Sequence, residues 1–143
     1  MGILEERTVQ GMCLTLESDY AVRIIGCLAS EGRRIDAKNI SEKTGVSLRF
    51  SLKILRKLVS AELVKSYKGM QGGYELARSP ESITMLDVVE SVEGEYYLNR
   101  CHEEDFVCTR GAKGCCAFQN VYTEINDIVS DKLKSYNFAE LIK

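Results

Sequence analysis

Four cysteines fall within one short, glycine- and charge-rich stretch of the chain. Cys101 is followed by His-Glu-Glu-Asp-Phe-Val and Cys108, then by Thr-Arg-Gly-Ala-Lys-Gly and the adjacent pair Cys115 and Cys116. Thiolates gathered on a flexible loop are how a chain holds a soft metal or an iron–sulfur cluster. Zinc competes for the same donors, because cysteine-rich tetrahedral sites suit it as well. The spacing favours ligation over a set of idle thiols. His102, the single histidine, directly follows Cys101 and would need a cramped geometry to share that residue's metal. It reads as a loop residue held in reserve as a ligand. Nothing in the chain pairs a nucleophile with a base, and no phosphate loop is tied to a βα unit, so the chemistry points away from an enzyme and towards a sensor.

Six cysteines in a chain without a signal-peptide core argue against a disulfide framework and for metal or redox chemistry. Cys13 and Cys27 lie apart from the loop, and Cys27, inside Ile24-Ile25-Gly26-Cys27-Leu28, reads as a small apolar residue of the interior. The 143 residues suffice for one compact domain and a dimerisation element. No apolar run reaches the length of a membrane span, and a cytoplasmic protein with no membrane partner is expected. The formal net charge of −2 conceals an asymmetry: residues 12–80 carry a net +5 and residues 81–143 a net −6. A basic first half suits a phosphate backbone, and an acidic second half does not.

Three regions follow: an extension or tag over 1–11, a DNA-binding module over 12–80, and the cysteine loop with a dimerisation helix over 81–143. A first helix is predicted from about Glu17 to Ser30, capped by Thr15, with Ala21, Ile24, Ile25 and Leu28 on its inner face. Asp36 starts a second helix that runs to about Thr44, and Gly45 turns the chain. Ser47 caps a third helix with Ile54, Leu55 and Leu58 facing inward. Two short helices joined by Thr44-Gly45-Val46 give a helix-turn-helix outline. Residues 63–67 and 73–77 read as paired strands around a glycine-rich tip, Lys68 to Gly73, and complete a winged helix. After Pro80, Thr84 and Asp87 form a capping box with an Ile83/Val88 staple for a helix ending near Val92. The loop then runs from about Gly94 to Cys116. Phe118, Val121, Tyr122, Ile125, Ile128, Val129 and Leu133 form a broad apolar stripe on a final long helix of roughly five turns. So short a chain offers that stripe little partner surface, and a second copy is the natural one. The fold class is mainly α with a small β-hairpin wing.

From Met12 almost to Lys143 these residues resemble the bacterial winged-helix iron–sulfur transcription regulators of IscR and NsrR type, with CymR as a cluster-free relative. The resemblance is carried by Leu14-Thr15-Leu16-Glu17-Ser18-Asp19-Tyr20-Ala21, by Ile40-Ser41-Glu42 and Gly45-Val46-Ser47-Leu48, and by the wing Lys68-Gly69-Met70-Gln71-Gly72-Gly73-Tyr74. Ile83-Thr84, Asp87-Val88-Val89, the cysteine loop and Phe138-Ala139-Glu140-Leu141-Ile142 complete it. It implies a homodimeric transcription regulator, a repressor, that binds a pseudo-palindromic double-stranded DNA operator. Three cysteines of one subunit would hold a cluster, [2Fe–2S] or [4Fe–4S], that reports iron–sulfur status, nitric oxide or redox state. The ligands implied are Cys101, Cys108 and Cys116, with Cys115 the alternative to Cys116; aligning Val121, Tyr122 and Ile125 with the family's apolar helix favours Cys116. NsrR-type members place an aspartate ligand where Asp19 stands, so Asp19 is the candidate fourth ligand, supplied by the partner subunit. The plain alternative for Asp19 is a helix-dipole carboxylate paired with Arg23. IscR-type members place a histidine three residues after the last cysteine, where this chain has Phe118 or Gln119. Ser51-Leu52 stands where members often have Leu-Glu, so base preference does not carry over.

On the DNA face, Ser47, Arg49, Phe50 and Lys53 are the candidates for base edges or nearby phosphates. Arg56 and Lys57 are assigned to phosphates, which position a protein without specifying sequence, and Lys68 to a groove contact from the wing. The competing function is a zinc-stabilised or redox-thiol regulator that works through a protein partner, as a CymR-like chain would.

Overall fold

The computed structural model describes residues 14–143. The proposed extension over 1–11, and Cys13 with it, lie outside the described residues. Helix α1 (Leu16–Glu31) starts at Thr15, whose side chain accepts from the Ser18 amide, and stops at left-handed Gly32. Its inner face buries Ala21, Ile24, Ile25 and Leu28. Helix α2 (Ala37–Thr44) is capped by Asp36, which accepts from the Asn39 amide at 2.8 Å. Helix α3 (Leu48–Ser60) is capped by Ser47 and turns Ile54, Leu55 and Leu58 into the core. Ser51, also fully buried, donates its hydroxyl to the Val46 carbonyl at 3.3 Å, so the one polar group on that face is satisfied inside the turn.

Strands β1 (Val64–Tyr67) and β2 (Gly73–Leu76) pair antiparallel, with Val64 opposite Leu76 and Tyr67 opposite Gly73. The hairpin is fastened to the body by a bridge in which Ile35 and Tyr74 exchange bonds of 3.0 and 2.8 Å. That close approach requires glycine. A Cβ at Gly73 would lie 2.6 Å from the Ile35 carbonyl oxygen, and one at Gly72 would lie 2.6 Å from that of Tyr67.

Helix α4 (Met85–Glu93) carries the expected capping box: the Thr84 amide donates to Asp87 at 2.9 Å, and the Asp87 amide donates to the Thr84 hydroxyl at 3.2 Å. Both staple residues, Ile83 and Val88, are fully buried. After the cysteine loop, α5 (Ala117–Lys134) runs without one fully buried side chain. A last short helix, α6 (Phe138–Leu141), is capped by Asn137 and was not predicted as an element. It returns to the body through the Phe138 amide, which donates to Ile83 at 3.0 Å, and buries the Phe138 ring. One continuous core therefore joins α1, α2, α3, the root of the wing, Ile83, Val88 and Phe138. No helix among the described residues is long and apolar enough to cross a membrane.

Candidate nucleic-acid interface and cysteine loop

With Ile54, Leu55 and Leu58 committed to the core, the helical period turns Arg49, Phe50, Lys53 and Arg56 outward. Phe50 is 44% exposed and sits edge-on to Tyr20 of α1, ring centres 5.9 Å apart, so it is a rigid apolar knob on an otherwise cationic face. Among the described residues Arg49 and Arg56 make no ion pair. Lys53 and Lys57 differ: both donate to the Glu17 carboxylate of α1, Lys57 at 2.6 Å. These two ammonium groups hold the Glu17 carboxyl below its usual range, Lys53 contributing most. Lys57 also reaches the Val92 carbonyl at 3.5 Å, so it faces the end of α4 more than the open surface.

Lys68 is exposed at the wing. Behind it, Arg34 lays its guanidinium over the Tyr67 ring at 3.3 Å, donates to the Gln71 carbonyl at 3.1 Å and approaches Glu75 at 3.8 Å. Arg34 thus braces the tip on which Lys68 is carried. Its position in the sequence gives no periodic signal; only the Ile35–Tyr74 bridge brings it beneath the wing.

The cysteine loop is held by α5. Gln119 accepts from the Gly114 amide at 3.0 Å and donates to the Cys101 carbonyl at 3.4 Å, and Asn126 accepts from the Leu98 amide at 2.9 Å. Lys113 gathers three carbonyls, those of Glu103, Glu104 and Phe106, at 3.0–3.4 Å. The second half of the loop thereby closes over the first. These polar ties were not legible beforehand, since each joins residues whose roles depend on the loop's path.

Cys101, Cys108 and Cys116 are half-buried and Cys115 is exposed. Backbone amides of Ala112 and Arg110 pull the Cys108 thiol down from its ordinary value, the direction that makes a thiolate ligand available. Cys116 is the N-cap residue of α5 and makes no capping bond, whereas the Cys115 thiol donates to the Ala112 carbonyl at 3.5 Å. Among the described residues no three His, Cys, Asp or Glu side chains converge as a metal site. The donor chemistry suits a soft metal, and the thiols are carried on one segment. Asp19 bonds Arg23 at 2.8 Å, four residues on, which is its plain helix-surface role. His102 has both ring nitrogens engaged, Nδ1 3.2 Å from the Asn99 carbonyl and Nε2 2.8 Å from the Thr123 hydroxyl, and it stacks on Tyr97. Cys27 packs against the core, and burial pushes its thiol up.

A winged helix with a cationic recognition helix, followed by a cysteine loop and an uncovered helix, defines a class of DNA-binding regulator. Residues 14–143 match the Rrf2 family, described as an iron-dependent transcriptional regulator, and the chain belongs to that family. Its members are transcriptional regulators, not enzymes. Protein rrf2 of Nitratidesulfovibrio vulgaris (strain Hildenborough) is 31% identical, over 92% of this chain and 88% of its own. The global cysteine regulator CymR of B. subtilis shares the fold with a TM-score of 0.74 at 24% identity, over 92% of this chain and 97% of its own. IscR of T. potens superposes with a TM-score of 0.70 at 25% identity, over 92% and 87%.

Proposed function

We propose that the protein is a homodimeric cytoplasmic repressor whose affinity for a pseudo-palindromic operator is set by an iron–sulfur cluster on Cys101, Cys108 and Cys116. The observation that carries this reading is the placement of the thiols. They lie on one loop, tied by Gln119 and Asn126 to a helix whose apolar stripe is left open: Phe118 is 62% exposed, Val121 52% and Ile128 61%. A second copy of α5 is the partner that such a stripe fits. A cluster bound at the loop would then sit beside the subunit interface, where Asp19 of the other copy could complete it. The module over 12–80 meets DNA through Ser47, Arg49, Phe50, Lys53, Arg56 and Lys68, Lys57 being turned instead towards Glu17 and the end of α4, and residues 81–143 sense and dimerise. When bound, the cluster supplies a soft, redox-active centre, and the chain's part is to present thiolates, Cys108 foremost, and to shape the loop around them.

The lowered Cys108 thiol also suits one second reading, a zinc-stabilised or redox-thiol regulator that acts through a protein partner. Anaerobic purification with an absorption spectrum and metal analysis separates the two. Visible charge-transfer bands with stoichiometric iron and sulfide support the cluster; a colourless protein with stoichiometric zinc, or with neither metal, supports the alternative. Cys116→Ser should abolish cluster retention and Cys115→Ser should spare it.

A further inference from the structure

The recognition helix, the first helix and the base of the cysteine loop meet at one polar junction. Glu17 of α1 takes both Lys53 and Lys57 of α3. Lys57 continues to the Val92 carbonyl, at the C-terminal turn of α4. The next residue, Glu93, accepts from the Ser18 hydroxyl at 2.6 Å and from the amide and hydroxyl of Thr15, which closes the ring back onto α1. Gly94 and the cysteine loop follow immediately. Of the cationic side chains on the outward face of α3, Lys53 is held by a carboxylate from another element, while Arg49 and Arg56 carry no such tie among the described residues.

From this arrangement we infer that Glu17 is a positioning residue that latches Lys53 off the DNA phosphates, with Lys57 and the Val92 carbonyl anchoring the latch to the end of α4. The inference rests on the DNA-binding reading of α3 and goes beyond it. A carboxylate that already neutralises Lys53 removes one cation from the phosphate-binding set. Opening the latch returns that cation and releases one more condensed counterion for each protomer on DNA. A displacement of the last turn of α4 must carry Val92 and Glu93 with it. The set of cations offered to DNA is thereby coupled, within one subunit, to the base of the loop. Lys53 is half-exposed in its pair with Glu17, and ion pairs at such a surface contribute little to stability, so such a latch can open without threatening the fold.

The test uses the full chain and a labelled random-sequence duplex, titrated at salt from roughly 50 to 200 mM. Glu17→Gln should bind several-fold more tightly at the low end, and its log K against log salt should steepen by about 0.9 per protomer. Glu17→Asp keeps the charge but is too short to span both lysines, and it should shift in the same direction. In a Lys53→Met background the gain from Glu17→Gln should vanish. By hydrogen exchange, Lys57→Met should speed the amides of residues 90–94 several-fold. The latch is overturned if Glu17→Asp matches wild type while Glu17→Gln tightens, since charge alone then suffices. It is overturned equally if the gain persists without Lys53, or if exchange at the end of α4 is unchanged. Wild-type protein that fails to bind the duplex at low salt overturns the DNA reading and the latch together; wild-type binding with unaltered variants overturns the latch alone.

Discussion

The winged module and the segment that follows it are built to different degrees of completion. Between Thr15 and Glu93 the helices α1 to α4 and the wing turn apolar faces into a shared core, and each of α1 to α4 is N-capped by a side chain at its start. Between Gly94 and Lys134 no side chain is fully buried, the loop is held by polar ties, and α5 leaves its stripe open. The first region is finished within one chain. The second has the sequence pattern of an interior and lacks the second surface that would make it one. Residues that complete the core and residues whose apolar faces stay open are thus largely separate, and substitutions should sort accordingly.

The largest effect is expected in the core. Phe138→Ala should destabilise the chain by about 3–5 kcal/mol, read from the urea midpoint, because it empties a site that α6 closes from the far end of the sequence. A change below about 1 kcal/mol would break the comparison, since α6 would then belong to the unfinished half. On the other side, Ile128→Asp should convert the proposed dimer to monomer by light scattering. It should leave monomer stability within about 0.5 kcal/mol, because that side chain touches no core in the single chain. Removing the α4 cap with Thr84→Ala should cost about 1 kcal/mol in the urea midpoint, while oligomeric state stays put. The smallest effect concerns Glu17, the carboxylate facing Lys53 and Lys57. Its folded-state pKa is depressed, so its contribution is complete above the unfolded value near 4.3 and is lost as pH falls through the lower folded value. Glu17→Gln should therefore lower stability slightly at pH 7, by less than about 1 kcal/mol, and match wild type at strongly acid pH.

How far each region could be read in advance follows the same division. Thr15, Asp36, Ser47 and Thr84 act within three residues of themselves, and the helices they start lie close to where the sequence placed them. The wing was legible for the same reason, since its strands and glycines are neighbours. Helix α6 escaped notice because four residues carry no period; beyond its Asn137 cap it is held by the Phe138 amide's bond to Ile83 and by burial of the Phe138 ring. Arg34, Glu17, Gln119 and Glu93 act on partners up to 78 positions away, and no local pattern marks them. The cysteines were conspicuous by type and spacing, yet spacing fixes only the length of chain between thiols and not the path that chain takes.

By itself the sequence determined the helix-turn-helix, the wing, the capped starts, the stripe of α5 and the clustering of thiols on one loop. Each of these depends on chemistry within a few residues: a cap bond, a period of 3.6, a glycine at a turn. Tertiary structure alone decided that Lys53 and Lys57 share a carboxylate, that Arg34 carries the wing, that α6 seals the core and that the cysteine loop is braced by α5. Those outcomes depend on which distant groups the packed core brings within about 3 Å, the range over which hydrogen bonds and ion pairs act.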